Sequence, residues 1–488
     1  MEHNIIATLA AVNESAGTLF RQPHNTAFYL APTPLPLPNL LEDASRETSL
    51  STDGDTSCNS RIQLTFERRP REITRGFTFG SNPKICDIFL PKSSISNIHF
   101  SISFDEDGRL CLIDSSSHGT WVSYNGQRSR KPRHFFTWLL PKKDRIEVDI
   151  GEKDPVRFVV QVPAYENCEE AHFANLNTYL DDRQRAKPPS TQQLSNQTTP
   201  RSIRVRSPRR RPWYYQGREL GRGSFGTVHE ARNVTTGIWY ALKRFNERGR
   251  VAEIDVVRKL SHVNSFPLCS RGKAKGLQEH IVQYIDTFVE DGVYLVMELL
   301  PLGSLLDENR RSKINLNETV EVLSQILKAL QYIHDYGYAH RDITPTNVLI
   351  KSRRPMYIKL ADFGTSQDTS VLRTLCGTST YRAPEIWSIA TSNLRNTRAK
   401  GKVYTAAVDI WSTGVVIFRL AYSKFDYNNS DPKTTIKAVK EIKPDPLIDI
   451  LRDFMIVEDH NARLAAEACL KKASAILKKA SLRPNAVG

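Results

Sequence analysis

The chain has 488 residues, too many for one hydrophobic core, so two or three domains are expected. With 40% hydrophobic and 25% charged residues it is not a largely disordered chain, and no apolar run reaches the ~18 residues of a membrane span. The net charge of +15 implies little beyond solubility and weak attraction to polyanions, and seven scattered cysteines without a Cys-x-x-Cys pair favour reduced thiols over disulfides or zinc. The start, Met1-Glu2-His3-Asn4, lacks the basic opening of a signal peptide, so an intracellular protein is expected. Residues 1–60 mix Ala, Ser, Thr, Pro and charges around Pro32-Thr33-Pro34-Leu35-Pro36-Leu37-Pro38 and read as mostly disordered.

Over 61–165 short apolar or alternating runs recur, among them 62–66, 77–79, 100–104, 110–113 and 158–162. Turn pairs such as Asp107-Gly108 and Asn125-Gly126 separate several of them, which predicts an all-β sandwich. Ser96-Asn97-Ile98-His99 and Asp114-Ser115-Ser116-Ser117-His118-Gly119-Thr120 then resemble the forkhead-associated (FHA) domain, whose motifs are Gly-Arg, Ser-x-x-His and Asn-Gly-Thr. The resemblance implies a phosphothreonine-peptide site at Ser81, Ser96, Asn97, Ser117 and His118, with His99 as a structural residue. Ser81 stands where the arginine of Gly-Arg is expected, and His118 where asparagine is. A guanidinium gives phosphate bidentate, charge-assisted bonds, whereas serine gives one neutral hydroxyl.

Residues 166–212 are polar and then Arg-rich, with Arg201, Arg204, Arg206, Arg209, Arg210 and Arg211, and read as a linker. The arginines fit a solvated linker or a nuclear-import signal; direct nucleic-acid contact is the least favoured reading.

From 213 strand-like sequence gives way to helical patterns, such as the apolar stripe Val320, Leu323, Ile326, Leu327, Leu330 and Ile333. Gly221-Arg222-Gly223-Ser224-Phe225-Gly226-Thr227-Val228 is a glycine turn that lets backbone approach phosphates, and a strand ending at Lys243 follows it. Lys243 is suited to bind phosphates, with Glu253 as its carboxylate partner. His340-Arg341-Asp342-Ile343-Thr344-Pro345-Thr346-Asn347, Asp362-Phe363-Gly364 and Ala383-Pro384-Glu385 follow in order. Asp342 is the expected acceptor for a substrate hydroxyl proton, and Asn347 and Asp362 the expected ligands of Mg²⁺ on ATP. The ordered set resembles eukaryotic protein kinases over about 213–475, leaving 476–488 as a basic tail. The expected whole is multidomain: an N-terminal all-β FHA-like sandwich and a C-terminal α+β two-lobed kinase fold.

The resemblance further implies that Met297 guards the adenine pocket, that Glu298 and Leu299 form the hinge, and that Val228 and Ala241 contact the nucleotide. It makes Asp409 the brace of the catalytic loop and Arg463 the partner of Glu385. Residues 372–385 look like the activation segment of Ser/Thr checkpoint kinases of the calmodulin-kinase-like group, similar to those of fungi, with Thr374 and then Thr378 as phosphosites. Thr344 replaces the lysine usual two residues after the catalytic aspartate, removing a positive charge near the transferring phosphate. The expected protein is a nuclear Ser/Thr kinase with protein substrates, docking through its FHA-like domain and associating transiently with itself. The rival is a phosphopeptide-binding scaffold with a weak or inactive kinase domain.

Overall fold

The structure is a computed structural model. It describes residues 2–30, 60–129, 131–151, 154–186, 212–223, 225–246, 250–261, 278–368, 378–394, 404–422 and 431–481. The chain divides into two compact units, residues 1–216 with 231–238, and residues 217–230 with 239–488.

The first unit carries strands β1 (Ile5–Ala11), β2 (Tyr29–Leu30), β3 (Arg61–Thr65), β4 (Phe77–Gly80), β5 (Ile88–Phe89) and β6 (Phe100–Phe104). It continues with β7 (Leu110–Asp114), β8 (Thr120–Tyr124), β9 (Gln127–Arg128), β10 (Thr137–Leu139), β11 (Ile146–Ile150) and β12 (Val156–Gln161). One sheet has the order β2-β3-β1-β12-β11-β8-β9, and the other β10-β7-β6-β4-β5. Alternation in β12 buries Val156, Phe158 and Val160 and turns the residues between them outward, so this strand gives one face to the core. Phe79 stacks on Phe100 at 4.4 Å, and Phe158 of the opposite sheet lies 5.9 Å from Phe100. The β8–β9 turn uses Asn125 at φ 49° and Gly126 at φ 84°, the left-handed pair that matches strand twist.

Two expectations fail here. Residues 2–30 are not disordered: β1 is an inner strand, pairing Leu9 with Ile62 on one side and Val160 on the other, and burying Ile6, Ala7, Leu9 and Ala11. Helix α1 (Glu14–Phe20) follows, capped by Asn13, whose side chain accepts from Ala16 N at 3.1 Å. Nor is 166–186 a linker, because helix α2 (Glu169–Ala186) sets His172, Leu176 and Tyr179 into the sandwich core. Tyr179 meets Phe104 at 5.5 Å and Phe66 at 6.1 Å. Trp213 also belongs to this unit, with its ring 6.0 Å from Tyr124.

The second unit opens on a sheet of order β13-β14-β15-β17-β16: β13 (Tyr214–Gly223), β14 (Gly226–Asn233), β15 (Trp239–Phe245), β16 (Tyr284–Val289) and β17 (Val293–Glu298). The residues of β13 up to Gln216 and of β14 from Ala231 cluster with the first unit. Helix α3 (Arg250–Ser261) lies between β15 and β16 in sequence. Then come α4 (Leu305–Arg311), α5 (Leu316–Asp335), α6 (Pro384–Leu394), α7 (Ala407–Tyr422), α8 (Pro432–Lys440), α9 (Pro446–Ile450) and α10 (Ala466–Ser481). The last helix therefore runs past residue 475, where a tail was expected. Asn315 and Glu318 form a reciprocal capping box that starts α5. The helix then buries the stripe Val320, Leu323, Ile326, Leu327, Leu330 and Ile333 at the centre of the helical core. Short antiparallel ladders join β18 (Tyr338–Ala339) to β21 (Gln367–Asp368), and β19 (Val348–Arg353) to β20 (Met356–Leu360). They hold the loops that carry Asp342 and Asp362. Among the described residues no helix is long and apolar enough to cross a membrane.

Candidate functional site

The glycine turn joins β13 to β14. A Cβ on Gly226 would lie 2.1 Å from the Arg244 carbonyl oxygen, so only glycine lets the two strands close up there. Gly221 and Gly223 instead face open space, with nothing within 4 Å of an added Cβ. Such backbone can lie against a ligand.

Lys243 projects from β15 and Glu253 from α3. The buried Lys243 Nζ donates to Glu253 Oε1 and Oε2 and to Asp362 Oδ1, each at 2.8 Å. Burial disfavours the Lys243 charge, yet Glu253 and Asp362 outweigh it and raise its pKa. Burial likewise opposes the Asp362 carboxylate, and Lys243 beside it holds its pKa below the usual range. Glu253 goes the other way, raised by burial and by the nearby Asp362 despite Lys243. One ammonium thus holds two carboxylates, an arrangement that presents fixed charge to a phosphate chain.

The backbone of Asp362 is left-handed, at φ 61° and ψ 78°. A Cβ on Gly364 would meet Phe225 Cδ2 at 2.8 Å and Glu253 Oε2 at 3.1 Å. Phe225 at the tip of the glycine turn therefore packs on the Asp362-Phe363-Gly364 segment.

Asp342 lies on the loop after β18, which is joined to the Asp362 segment where Ala361 N donates to Asn347 O at 2.9 Å. Its Oδ2 accepts from Asn347 Nδ2 at 2.9 Å, and Asn347 Nδ2 also donates to the Asp342 carbonyl at 2.8 Å. Its Oδ1 accepts from the backbone N–H and the hydroxyl of Thr378, each at 2.9 Å. An alcohol already donates to this carboxylate, which is the geometry needed to take up a hydroxyl proton. Asn347 turns its amide nitrogen to Asp342, which leaves its carbonyl oxygen for another partner. That oxygen and the Asp362 carboxylate are hard donors fit for a divalent cation. Among the described residues no cluster of three or more His, Cys, Asp or Glu could hold a metal alone. Two protein oxygens suit Mg²⁺, which takes few protein ligands and completes its shell with phosphate and water.

Asp409, at the start of α7 and fully buried, braces this loop. Its Oδ1 accepts from Arg341 N at 2.7 Å, and its Oδ2 from His340 N at 2.8 Å and His334 Nε2 at 2.9 Å. Burial would raise its pKa, but the His334 hydrogen bond and charge bring it below the usual range. Arg463 holds Glu385 through two bonds of 2.7 and 2.8 Å. Met297 pairs with Ala241 across β15 and β17, and Glu298 ends β17 with its carboxylate on Gln283 N at 2.7 Å and on Lys359 Nζ. Val228 lies in β14, two residues beyond Gly226, and Leu299 is the first residue past β17. Thr344 is buried, its hydroxyl 2.7 Å from that of Thr346, so this position contributes no charge. Thr374 lies outside the described residues.

In the first unit the loops after β5 and β7 converge. Ser96 Oγ accepts from Ser117 N at 3.2 Å and lies 3.3 Å from Ser117 Oγ, and Ser117 Oγ is 3.1 Å from His118 Nδ1. Beneath them buried His99 accepts on Nδ1 from Ser96 N at 3.2 Å, and burial lowers its pKa to about 4. Ser81 and Asn97 join through their backbone, Ser81 N to Ser96 O at 3.0 Å, and Asn97 O accepting from Asn82 N at 3.4 Å and from Cys86 Sγ at 2.9 Å. Asp114 and Ser116, part of the FHA-like motif but without an expected role, order this loop: Ser116 Oγ donates to Asp114 Oδ2 at 2.9 Å and accepts from Gly119 N at 2.7 Å. An aspartate followed by consecutive serines was the available signal.

Comparison with known proteins agrees with both halves. The protein kinase domain family matches residues 214–478, and the FHA domain family matches 77–149. The serine/threonine-protein kinase RAD53 of Saccharomyces cerevisiae is 29% identical over 428 residues, covering 82% of this chain and 49% of the relative. The chain thus spans about half the length of that relative. The DNA damage response protein kinase DUN1 of the same yeast is 28% identical, covering 71% of each chain. The serine/threonine-protein kinase cds1 of Schizosaccharomyces pombe is 25% identical, covering 76% of this chain and 73% of the relative. Among solved structures, Rad53 residues 1–466 in complex with AMP-PNP shares the fold, with a TM-score of 0.51 and 24% identity over 87% of this chain and 95% of that one.

Proposed function

Because the chain belongs to the protein kinase family, we propose that it is an active Ser/Thr protein kinase that transfers the γ-phosphoryl of ATP to protein hydroxyls. The observation that carries this reading is the joint geometry of Lys243 with Glu253 and Asp362, and of Asp342 with Asn347 and a threonine hydroxyl. Lys243 binds the α- and β-phosphates, and the turn at Gly221, Gly223 and Gly226 covers them. Val228, Ala241 and Met297 surround the base, and Glu298 and Leu299 meet its edge. Asp362 and Asn347 hold Mg²⁺, which neutralises charge on the phosphates. Asp342 orients the substrate hydroxyl and accepts its proton. Phosphorylation of Thr374, and secondarily Thr378, switches the kinase on.

The likeness to the DNA damage response protein kinase DUN1 supports a role in DNA-damage checkpoint signalling, and the arginines at 201–211 support a nuclear location. The FHA domain then docks the chain on a phosphothreonine protein through Ser96, Ser117 and His118, with Ser81 and Asn97 at the rim. Docking raises the local concentration of partner or sister chain for activation in trans. The uncharged Thr344 favours one rival, a scaffold whose kinase domain is weak.

Incubation with radiolabelled ATP and magnesium separates the two. The wild type is expected to label protein serine and threonine, and Asp342→Ala to lose at least about a hundredfold of that rate. Equal background labelling of both would leave only the scaffold.

A further inference from the structure

The hydroxyl of buried Thr344 is engaged with that of Thr346, 2.7 Å away, so this position brings no cation to the phosphoryl group in transfer. Phosphoryl transfer spreads negative charge over the moving group, and a positive group placed there lowers the barrier. Three cations near the site are committed to partners of their own. Lys243 is bonded to Glu253 and Asp362, buried Arg341 donates to Gln367 and lies against the Tyr404 ring, and Lys359 donates to Glu298.

Arg222 is placed differently. It stands between Gly221 and Gly223 near the end of β13, in the turn proposed to cover the phosphates. Its side chain is 73% exposed, and its one partner among the described residues is Glu219 on the same strand, at 2.8 and 3.2 Å. An exposed pair of this kind holds weakly and exchanges readily. Glycines flank it on both sides, with nothing within 4 Å of an added Cβ at either, which leaves the backbone free to turn. The turn already leans on the Asp362 segment. A Cβ on Gly364 would lie 2.8 Å from Phe225 Cδ2, and Lys243 Nζ is 5.8 Å from the centre of the Phe225 ring. A long, flexible cation is thus carried on the element that closes over Lys243 and Asp362.

We propose that Arg222 is a further catalytic residue: it leaves Glu219 when ATP is bound, sets its guanidinium on the γ-phosphoryl, and supplies in part the charge that Thr344 does not. The inference rests on the reading of the chain as an active kinase. In the step itself the bond from the γ-phosphorus to the departing ADP oxygen breaks, the bond to the substrate oxygen forms, and the hydroxyl proton goes to Asp342. Arg222 exchanges no proton, because a guanidinium stays charged throughout. It offers the phosphoryl oxygens two N–H donors and a positive charge together. Glu219 keeps His229 as a neighbour, with Nε2 4.0 Å away.

Steady-state kinetics on the full chain, with radiolabelled ATP and dephosphorylated casein as the acceptor, test this in two backgrounds. Arg222→Gln in the wild type is expected to lower kcat about tenfold or more. Its affinity for ATP with magnesium, by titration calorimetry, is expected to stay within about threefold, which also shows that the variant is folded. In the Thr344→Lys chain the same substitution is expected to cost less than about threefold, because an ammonium already stands beside the phosphoryl group. Glu219→Gln releases Arg222 and is expected to hold or raise kcat. An Arg222→Gln effect that is absent in the wild type, equal in both backgrounds or confined to ATP affinity overturns the inference. So does a loss in Glu219→Gln as large as that in Arg222→Gln, since the pair would then act only by ordering its strand. In each of these cases label transfer by the wild type leaves the kinase reading standing. Wild-type protein that labels neither itself nor casein overturns the kinase reading and the inference with it.

Discussion

His99 and Thr344 are single side chains whose surroundings fix their chemistry. Full burial keeps the His99 ring neutral, with its pKa lowered from 6.5 to about 4. The unfolded chain takes up that proton near pH 6.5 and the folded one only near pH 4, so stability falls as pH drops through this window. The full loss is about 3 kcal/mol. An NMR titration of the His99 ring in the folded chain is expected to give a midpoint near 4; a midpoint near 6.5 contradicts the burial. Thr344 has the opposite history, because its meaning was visible in the sequence and its setting was not. Its hydroxyl turns to Thr346, and nothing at this position offsets charge on the transferring phosphate. Thr344→Lys places an ammonium on a flexible stem there and is expected to raise kcat about tenfold. An unchanged or lower kcat, with an unchanged melting temperature, would mean that charge at this point does not limit the rate.

Elements succeed or fail as predictions according to where their partners lie. Helix α5 was legible because its apolar stripe and capping box are local. The motif residues were legible too, since kinase chemistry fixes their spacing along the chain. Strand β1 was not, because seven apolar and small residues become an inner strand only when β3 and β12 flank them. Helix α2 was missed for a related reason: its buried anchors His172, Leu176 and Tyr179 sit among many charged and amide residues, with Phe173 turned outward, and leave a stripe too narrow to read. Between elements, the Arg463–Glu385 pair ties the segment before α10 to α6. The Arg463 side chain is 0% exposed, so Arg463→Ala leaves Glu385 without its counter-charge. The expected cost in chemical denaturation is about 3–5 kcal/mol, and Arg463→Met with Glu385→Leu should recover much of it. A loss below about 1 kcal/mol for the single variant would show that the pair does not hold these elements.

At the scale of the molecule, a β-sandwich unit and a two-lobed kinase unit were both foreseen, with boundaries set too narrowly around the sandwich. The 2–30 segment, α2 and Trp213 all join the sandwich, because a small domain gains stability by covering its core with flanking chain. The proposed activity depends on one assembly, in which the Lys243 ammonium, the Asp362 and Asn347 oxygens proposed to bind metal and a glycine turn would hold a nucleotide. Isothermal titration of ATP into the full chain, with and without magnesium, tests it most directly. The wild type is expected to bind more tightly with magnesium, Asp362→Asn to lose about tenfold or more of that gain, and Lys243→Met to weaken binding under both conditions. Wild-type protein that binds no ATP at millimolar magnesium, or an Asp362→Asn variant that keeps the full magnesium effect, would contradict it.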